Sequence, residues 1–142
     1  MIYIILAKIN FDIVKNLLKK SVYLLEKEKI KYSTIEIPGL FEVVSASSIL
    51  LNAKQNVSAI ITLGCIIKNE TSHNEDLAKF IYNGLAQLTV KHNSIITNGM
   101  LHCNTKEQAI ARSSLSKEGI NYGFDATKAA IEMIEAKKKI SI

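Results

Sequence analysis

The stretch NETSH, residues 69–73, carries side chains that could bind a phosphate and transfer protons. Ser72 and Glu75 have the S-x-x-E spacing of a capping box, so a helix is predicted to begin near Ser72. Free N–H groups and the dipole at a helix N-terminus attract anions such as phosphate. His73 falls in the first turn, where an imidazole could accept and donate protons near neutral pH. An ordinary capped helix with a structural histidine explains the same residues, so both interpretations stay open.

The elements that must position these residues alternate between apolar, β-branched runs and amphipathic segments. The strands are predicted at 1–7, 32–37, 57–67 and 94–101, and the helices at 11–29, 41–54, 74–91, 106–114 and about 125–139. Repeated strand–helix–strand units predict a parallel sheet with helices on both faces. We therefore expect one α/β domain over residues 1–142, a three-layer αβα sandwich with a small parallel sheet of about four strands. In its second helix, Phe41 is predicted to face inward.

Ligands of such folds bind beyond the carboxyl ends of the strands. The predicted strand ends gather polar residues at that rim, among them Asn10, Glu42, His73 and His102. These histidines could be combined with the two cysteines into a zinc site, but the spacing matches no known zinc pattern. No metal is therefore expected.

Arg112 is notable because the other 17 of the 18 basic residues are lysines. A guanidinium can bind a phosphate through two parallel hydrogen bonds, which lysine cannot do. Thr105 and Gln108 have the spacing of a second capping box, which places Arg112 about two turns into a short helix. At that depth an arginine points poorly toward its own rim, so a phosphate in a neighbouring subunit would be a sensible partner. The open alternative is that Arg112 is an ordinary surface residue on a solvated helix face.

The overall composition narrows the class of protein. The net charge is +5, but the lysines are spread along the chain without a base-stacking aromatic motif, so we expect no nucleic-acid partner. Cys65 and Cys103 are too few for a disulfide framework. The apolar start is too short for a signal peptide or a membrane span. We expect a cytoplasmic protein with free thiols and no membrane partner.

Three ordered segments resemble the lumazine synthase family: PGLFE at 38–42, ITLGCIIKNETSH at 61–73 and EQAIARS at 107–113. The similarity continues through AAIEM at 129–133. The resemblance implies a flavodoxin-like fold and a homopentamer whose active sites lie between neighbouring subunits. It also implies a transferase of riboflavin biosynthesis. That enzyme condenses two small molecules, 5-amino-6-(D-ribitylamino)uracil and 3,4-dihydroxy-2-butanone 4-phosphate, without a cofactor.

The resemblance also implies roles for particular residues. His73 would transfer protons, and Glu70 and Thr71 would form the phosphate-binding turn. Arg112 would arrive from the adjacent subunit to hold the phosphate. The remaining expected substrate-binding residues follow the first three strands or lie on the fourth: Ile9, Asn10, Leu40, Phe41, Glu42, Cys65, Ile66, Ile67 and Asn98.

The sequence departs from the family pattern at three positions. Ile9 and Asn98 stand where family members usually have aromatic residues, and Tyr122 stands where a lysine is usual. These changes favour one alternative, a non-catalytic pentameric relative that binds a lumazine or a flavin. A second alternative is an unrelated phosphate-binding domain, which would work as a monomer.

Overall fold

A computed structural model describes residues 1–68 and 73–142. Its four strands are β1 (Ile2–Ala7), β2 (Tyr32–Ile37), β3 (Ala59–Ile67) and β4 (Ile96–Cys103). Its helices within the described residues are α1 (Phe11–Lys27), α2 (Glu42–Ala53), α3 (His73–His92), α4 (Lys106–Ala111) and α5 (Tyr122–Ile140). Each predicted element is present, with ends displaced by a few residues.

The four strands are parallel and lie in the order β2-β1-β3-β4. This is the flavodoxin-like order, so the predicted three-layer fold is confirmed. β3 is central, and its residues from Ala59 to Ile66 are all buried. That burial explains why β3 does not alternate with polar residues and has Thr62 as its only polar side chain.

The sheet buries one apolar cluster on each face. On one side β1, β3 and β4 pack against α1 and α5, and on the other against α2 and α3. Gly123, at the start of α5, allows that helix to approach α1, because a β-carbon there would meet the main chain of Leu17. The hydroxyl groups of Ser21 and Thr127 hydrogen-bond across the same helix pair, 2.5 Å apart.

The predicted inward position of Phe41 is wrong. α2 begins one residue later, at Glu42, and its buried residues are Val43, Ser47 and Leu50. The phenyl ring of Phe41 is therefore left at the rim, where 61% of its surface is exposed.

α4 and α5 also differ from their predicted limits. α4 ends at Ala111, and Ser113 then forms a bridge with Asn121. Asn121 caps α5 by accepting a hydrogen bond from the Phe124 amide, so α5 begins at Tyr122. Within the described residues, no helix has the length and apolar character needed to cross a membrane.

Candidate active site

A cleft of about 650 Å³ opens at the carboxyl ends of the strands, between the starts of α2 and α3. We call it the rim cleft. Its described lining residues are Ile9, Gly39, Leu40, Phe41, Glu42, His73, Asn74, Asp76, Leu77 and Phe80. The fold therefore brings together the segments that follow β1 and β2 with the first two turns of α3.

Five predicted site residues line the rim cleft: Ile9, Leu40, Phe41, Glu42 and His73. His73 is the first residue of α3, as expected for a histidine at a helix N-terminus, and it is exposed. Glu42 occupies the first turn of α2, where a carboxylate is favoured by the helix dipole. The cleft thus combines an imidazole, a carboxylate and an apolar wall.

Asn10 is the N-cap of α1, and its side chain connects the segment after β1 to the end of β3. It has a left-handed backbone (φ 55°), which asparagine tolerates better than most residues. Its side-chain amide donates a hydrogen bond of 3.0 Å to the Cys65 carbonyl. Asn10 therefore fixes the end of β3 relative to the end of β1.

Cys65, Ile66 and Ile67, the residues of the predicted main-chain contacts, lie at the end of β3 and do not line the rim cleft themselves. The Ile67 carbonyl accepts a hydrogen bond of 2.7 Å from the side-chain amide of Asn74, which joins β3 to the start of α3. A carbonyl oxygen has two lone pairs, so those of Cys65 and Ile67 each keep acceptor capacity beside their protein partner.

The Cys65 side chain is held as a neutral thiol. It is fully buried, and burial, with smaller contributions from nearby Cys103 and Asp12, raises its pKa to about 12. A thiol that is protonated at neutral pH is a poor nucleophile. The chemistry of the site therefore cannot depend on a Cys65 thiolate.

This raised pKa predicts a pH-dependent stability. The unfolded chain releases the Cys65 proton above about pH 9, whereas the folded chain keeps it until about pH 12. The thiol's contribution is thus complete below pH 9 and is lost as the pH rises toward 12. We expect the difference in unfolding free energy between wild type and Cys65→Ala to shrink over that interval, as urea titrations at several pH values would measure. If the difference in unfolding free energy between the two proteins stayed constant from pH 9 to 12, the raised pKa of Cys65 would be contradicted.

Arg112 and Asn98 do not line the rim cleft of their own chain. Arg112 is the C-cap of α4, and its guanidinium donates a hydrogen bond of 3.3 Å to the Cys103 sulfur. Its guanidinium therefore lies at the carboxyl end of β4, closer to its own rim than the sequence suggested. The hydrogen bond with Cys103 raises the pKa of Arg112. The guanidinium is cationic at neutral pH with or without this contact.

Asn98 lies on β4, the edge strand nearest α3, and is exposed. Its side-chain oxygen accepts a hydrogen bond of 2.9 Å from the Met100 amide. Burial raises the pKa of nearby Tyr82, and a hydrogen bond with Asn98 opposes that rise. Asn98 and Arg112 are thus both near β4 but on opposite faces of the sheet, because Asn98 is near Tyr82 of α3 whereas Arg112 contacts Cys103, which packs with the α1 and α5 cluster.

The second predicted capping box is present in part. The Thr105 hydroxyl accepts a hydrogen bond of 3.2 Å from the Gln108 amide, as predicted. The Gln108 side chain reaches back to the Asn104 amide, one residue earlier than expected. The first box includes Ser72, which lies outside the described residues, as do Glu70 and Thr71 of the predicted phosphate-binding turn.

His102 pairs with a carboxylate of α3. Its Nε2 lies 3.4 Å from the Glu75 carboxylate, so the pair joins the end of β4 to the first turn of α3. In residues 1–68 and 73–142, no group of three or more histidine, cysteine, aspartate or glutamate side chains could hold a metal ion.

Sequence reasoning missed Asn74, Asp76, Leu77 and Phe80 as lining residues. A signal for three of them existed, because residues three, four and seven positions beyond His73 fall on the same face of a helix. Gly39 was part of a recognised motif, but no role was predicted for it.

The fold and the rim cleft define an α/β protein with a small-molecule site at the carboxyl edge of a flavodoxin-like sheet. A family model described as 6,7-dimethyl-8-ribityllumazine synthase matches residues 1–138. The chain belongs to this family.

Curated proteins named 6,7-dimethyl-8-ribityllumazine synthase align with this chain over nearly its whole length. One from Buchnera aphidicola is 37% identical over 98% of this chain and 88% of that protein. One from Nitrobacter hamburgensis is 30% identical over 97% and 86%, respectively. One from Saccharolobus islandicus is 32% identical over 96% and 86%.

Proposed function

We propose that this chain is a lumazine synthase of riboflavin biosynthesis. It condenses 5-amino-6-(D-ribitylamino)uracil with 3,4-dihydroxy-2-butanone 4-phosphate to form 6,7-dimethyl-8-ribityllumazine, releasing phosphate and water. One observation carries the proposal. In this member of the family, His73 and Glu42 line the same cleft as the apolar Ile9 and Leu40.

The first substrate would lie across the start of α2 and the end of β1. Leu40 and Phe41 line its ribityl side, and the Glu42 carboxylate accepts hydrogen bonds from ribityl hydroxyl groups. The polar edge of the pyrimidine binds the main chain at residues 65–67. Asn10 supports this assignment, because its hydrogen bond to the Cys65 carbonyl holds that main chain in place.

His73 would transfer the protons that the condensation requires. The amine of the first substrate is itself the nucleophile, so no activated side chain is needed. This agrees with the raised pKa of Cys65, which keeps that thiol protonated. Most of the acceleration would come from holding two reactants in attack geometry, with proton transfer and phosphate stabilisation added to it.

The phosphate needs a cation that the cleft of one chain does not show. Among the described residues lining the rim cleft, Glu42 and Asp76 are acidic, and none is a lysine or an arginine. We therefore assign the phosphate to the turn containing Glu70 and Thr71, with Arg112 supplied by a neighbouring subunit. Asn98, which lies on the edge strand β4, would approach from that neighbour too.

The active assembly would be a homopentamer formed from single domains spanning residues 1–142. We place it in the cytoplasm, where its two free cysteines would stay reduced.

The proposal is tested by mixing the purified protein with both substrates and following lumazine fluorescence. We expect product to form faster than in the spontaneous reaction without protein. No acceleration would reject catalysis. Product binding measured by calorimetry would then identify the non-catalytic relative, which the isoleucine at position 9 favours because it cannot stack as an aromatic ring does.

A further inference from the structure

Two phenylalanines form a stacked pair in the wall of the rim cleft. Phe41 immediately precedes α2, and Phe80 lies two turns into α3. Their ring centroids are 4.5 Å apart, and the ring planes differ by only 3°. The pair therefore joins the two helices on either side of the cleft with a flat, parallel arrangement of rings.

The pair is exposed to an extent that packing within the chain does not explain. Phe41 is 61% exposed and Phe80 is 43% exposed. In a stacked pair each ring covers one face of the other, so the exposed area belongs to the outer faces and the edges. A flat apolar surface of this kind is suited to stacking a further planar ring.

The surroundings of the pair match the chemistry of a polar heterocycle. Ile9, Leu40 and Leu77 add apolar surface to the cleft, and Glu42, His73, Asn74 and Asp76 add hydrogen-bonding groups. A heterocycle has two apolar faces and a polar edge, so its binding site needs both apolar surface and hydrogen-bonding groups. Among the described lining residues, Phe41 and Phe80 are the only phenylalanines, tyrosines or tryptophans, and the imidazole of His73 is the one other aromatic ring.

We propose that the outer face of Phe80, whose inner face rests on Phe41, is the surface on which the pyrimidine ring of the aminouracil substrate stacks, while Phe41 keeps its place on the ribityl side. Phe80 is thereby a substrate-binding residue. This inference rests on the proposed function, because that reaction supplies the ring. It predicts that Phe80 affects binding of the ring-containing substrate and leaves the affinity for the four-carbon phosphate unchanged.

The test compares Phe80→Ala, Phe80→Leu and Phe80→Tyr with wild type, measuring KM for each substrate separately. Loss of one aromatic stacking contact corresponds to about a two- to tenfold weaker interaction. We expect Phe80→Ala and Phe80→Leu to raise KM for the aminouracil by that factor, and Phe80→Tyr to retain the wild-type value. Leucine keeps apolar volume, so a loss with leucine that tyrosine restores identifies the flat ring.

Phe11→Ala is the matched control, because Phe11 is also 43% exposed but does not line the rim cleft. Unchanged KM in Phe80→Ala, or an equal rise for both substrates, would overturn the stacking surface and leave the proposed function standing. If wild type shows no turnover, the proposed function fails, and calorimetry with the lumazine product decides about the surface. Product binding weakened by Phe80→Ala would support it, whereas absent or unchanged binding would overturn it.

Discussion

Arg112→Lys should reduce kcat/KM of lumazine formation about ten- to a hundredfold, although it leaves the charge of the chain unchanged. Lysine can donate to one phosphate oxygen from a compact ammonium group, but it cannot make two parallel hydrogen bonds. The loss of one charge-assisted hydrogen bond corresponds to a factor of this size. Arg112→Gln, which also removes the charge, should lose more.

The reason to expect such a large effect lies in the charges of the rim cleft. Glu42 and Asp76 both line it, so a phosphorylated substrate meets carboxylates in the described part of the wall. A guanidinium would offset that repulsion and stabilise the phosphate as it leaves. The contact between Arg112 and the Cys103 sulfur shows that the side chain already extends to the carboxyl end of β4.

Lys106→Gln is the matched control for Arg112. Lys106 lies on the same short helix and at the same end of the sheet, where it pairs with Asp12 at 3.2 Å. It is exposed, so its loss should leave both activity and the melting temperature nearly unchanged. If Arg112→Lys behaves like Lys106→Gln, Arg112 does not bind the phosphate.

The layers of the fold could be predicted from the sequence because its strongest signals are local. The apolar run of β3 and the amphipathic helices predict a covered parallel sheet, and the recognised motifs place His73 and Glu42 at its rim. The predicted start of α2 was one residue too early, and this small error led to the wrong prediction that Phe41 faces inward. The hydrophobic period alone did not distinguish a residue inside the helix from one that precedes it.

The contacts between distant segments could not be predicted in the same way. The hydrogen bond from Asn10 to Cys65 and the stacking of Phe80 on Phe41 join residues far apart in sequence. Such contacts depend on how the strand ends are positioned in space, which periodicity does not report. Arg112 would add a further limit, because in the site we propose it comes from a neighbouring chain, which the sequence pattern of one chain does not report.

This division of the site leads to a second prediction with a large effect. His73→Ala should lose about a hundredfold or more in activity, the usual contribution of a positioned proton-transfer group. If His73 and Arg112 act in one site but come from different chains, co-expressed His73→Ala and Arg112→Gln chains should recover activity that neither has alone. In a randomly mixed ring, one half of the chains carry His73 and the other half carry Arg112, so about a quarter of the sites are complete.

A site contained in one chain predicts a different result, because every chain in the mixture then lacks one of the two groups. Differently tagged chains, purified through both tags, would ensure that only mixed assemblies are assayed. Separately purified variants mixed without exchange of subunits provide the control and should stay inactive. Recovery near a quarter of wild type requires that His73 of one chain faces Arg112 of its neighbour, and this would make assembly itself a condition of catalysis. Failure to recover in verified mixed assemblies would leave Arg112 acting within its own chain, or outside the site altogether.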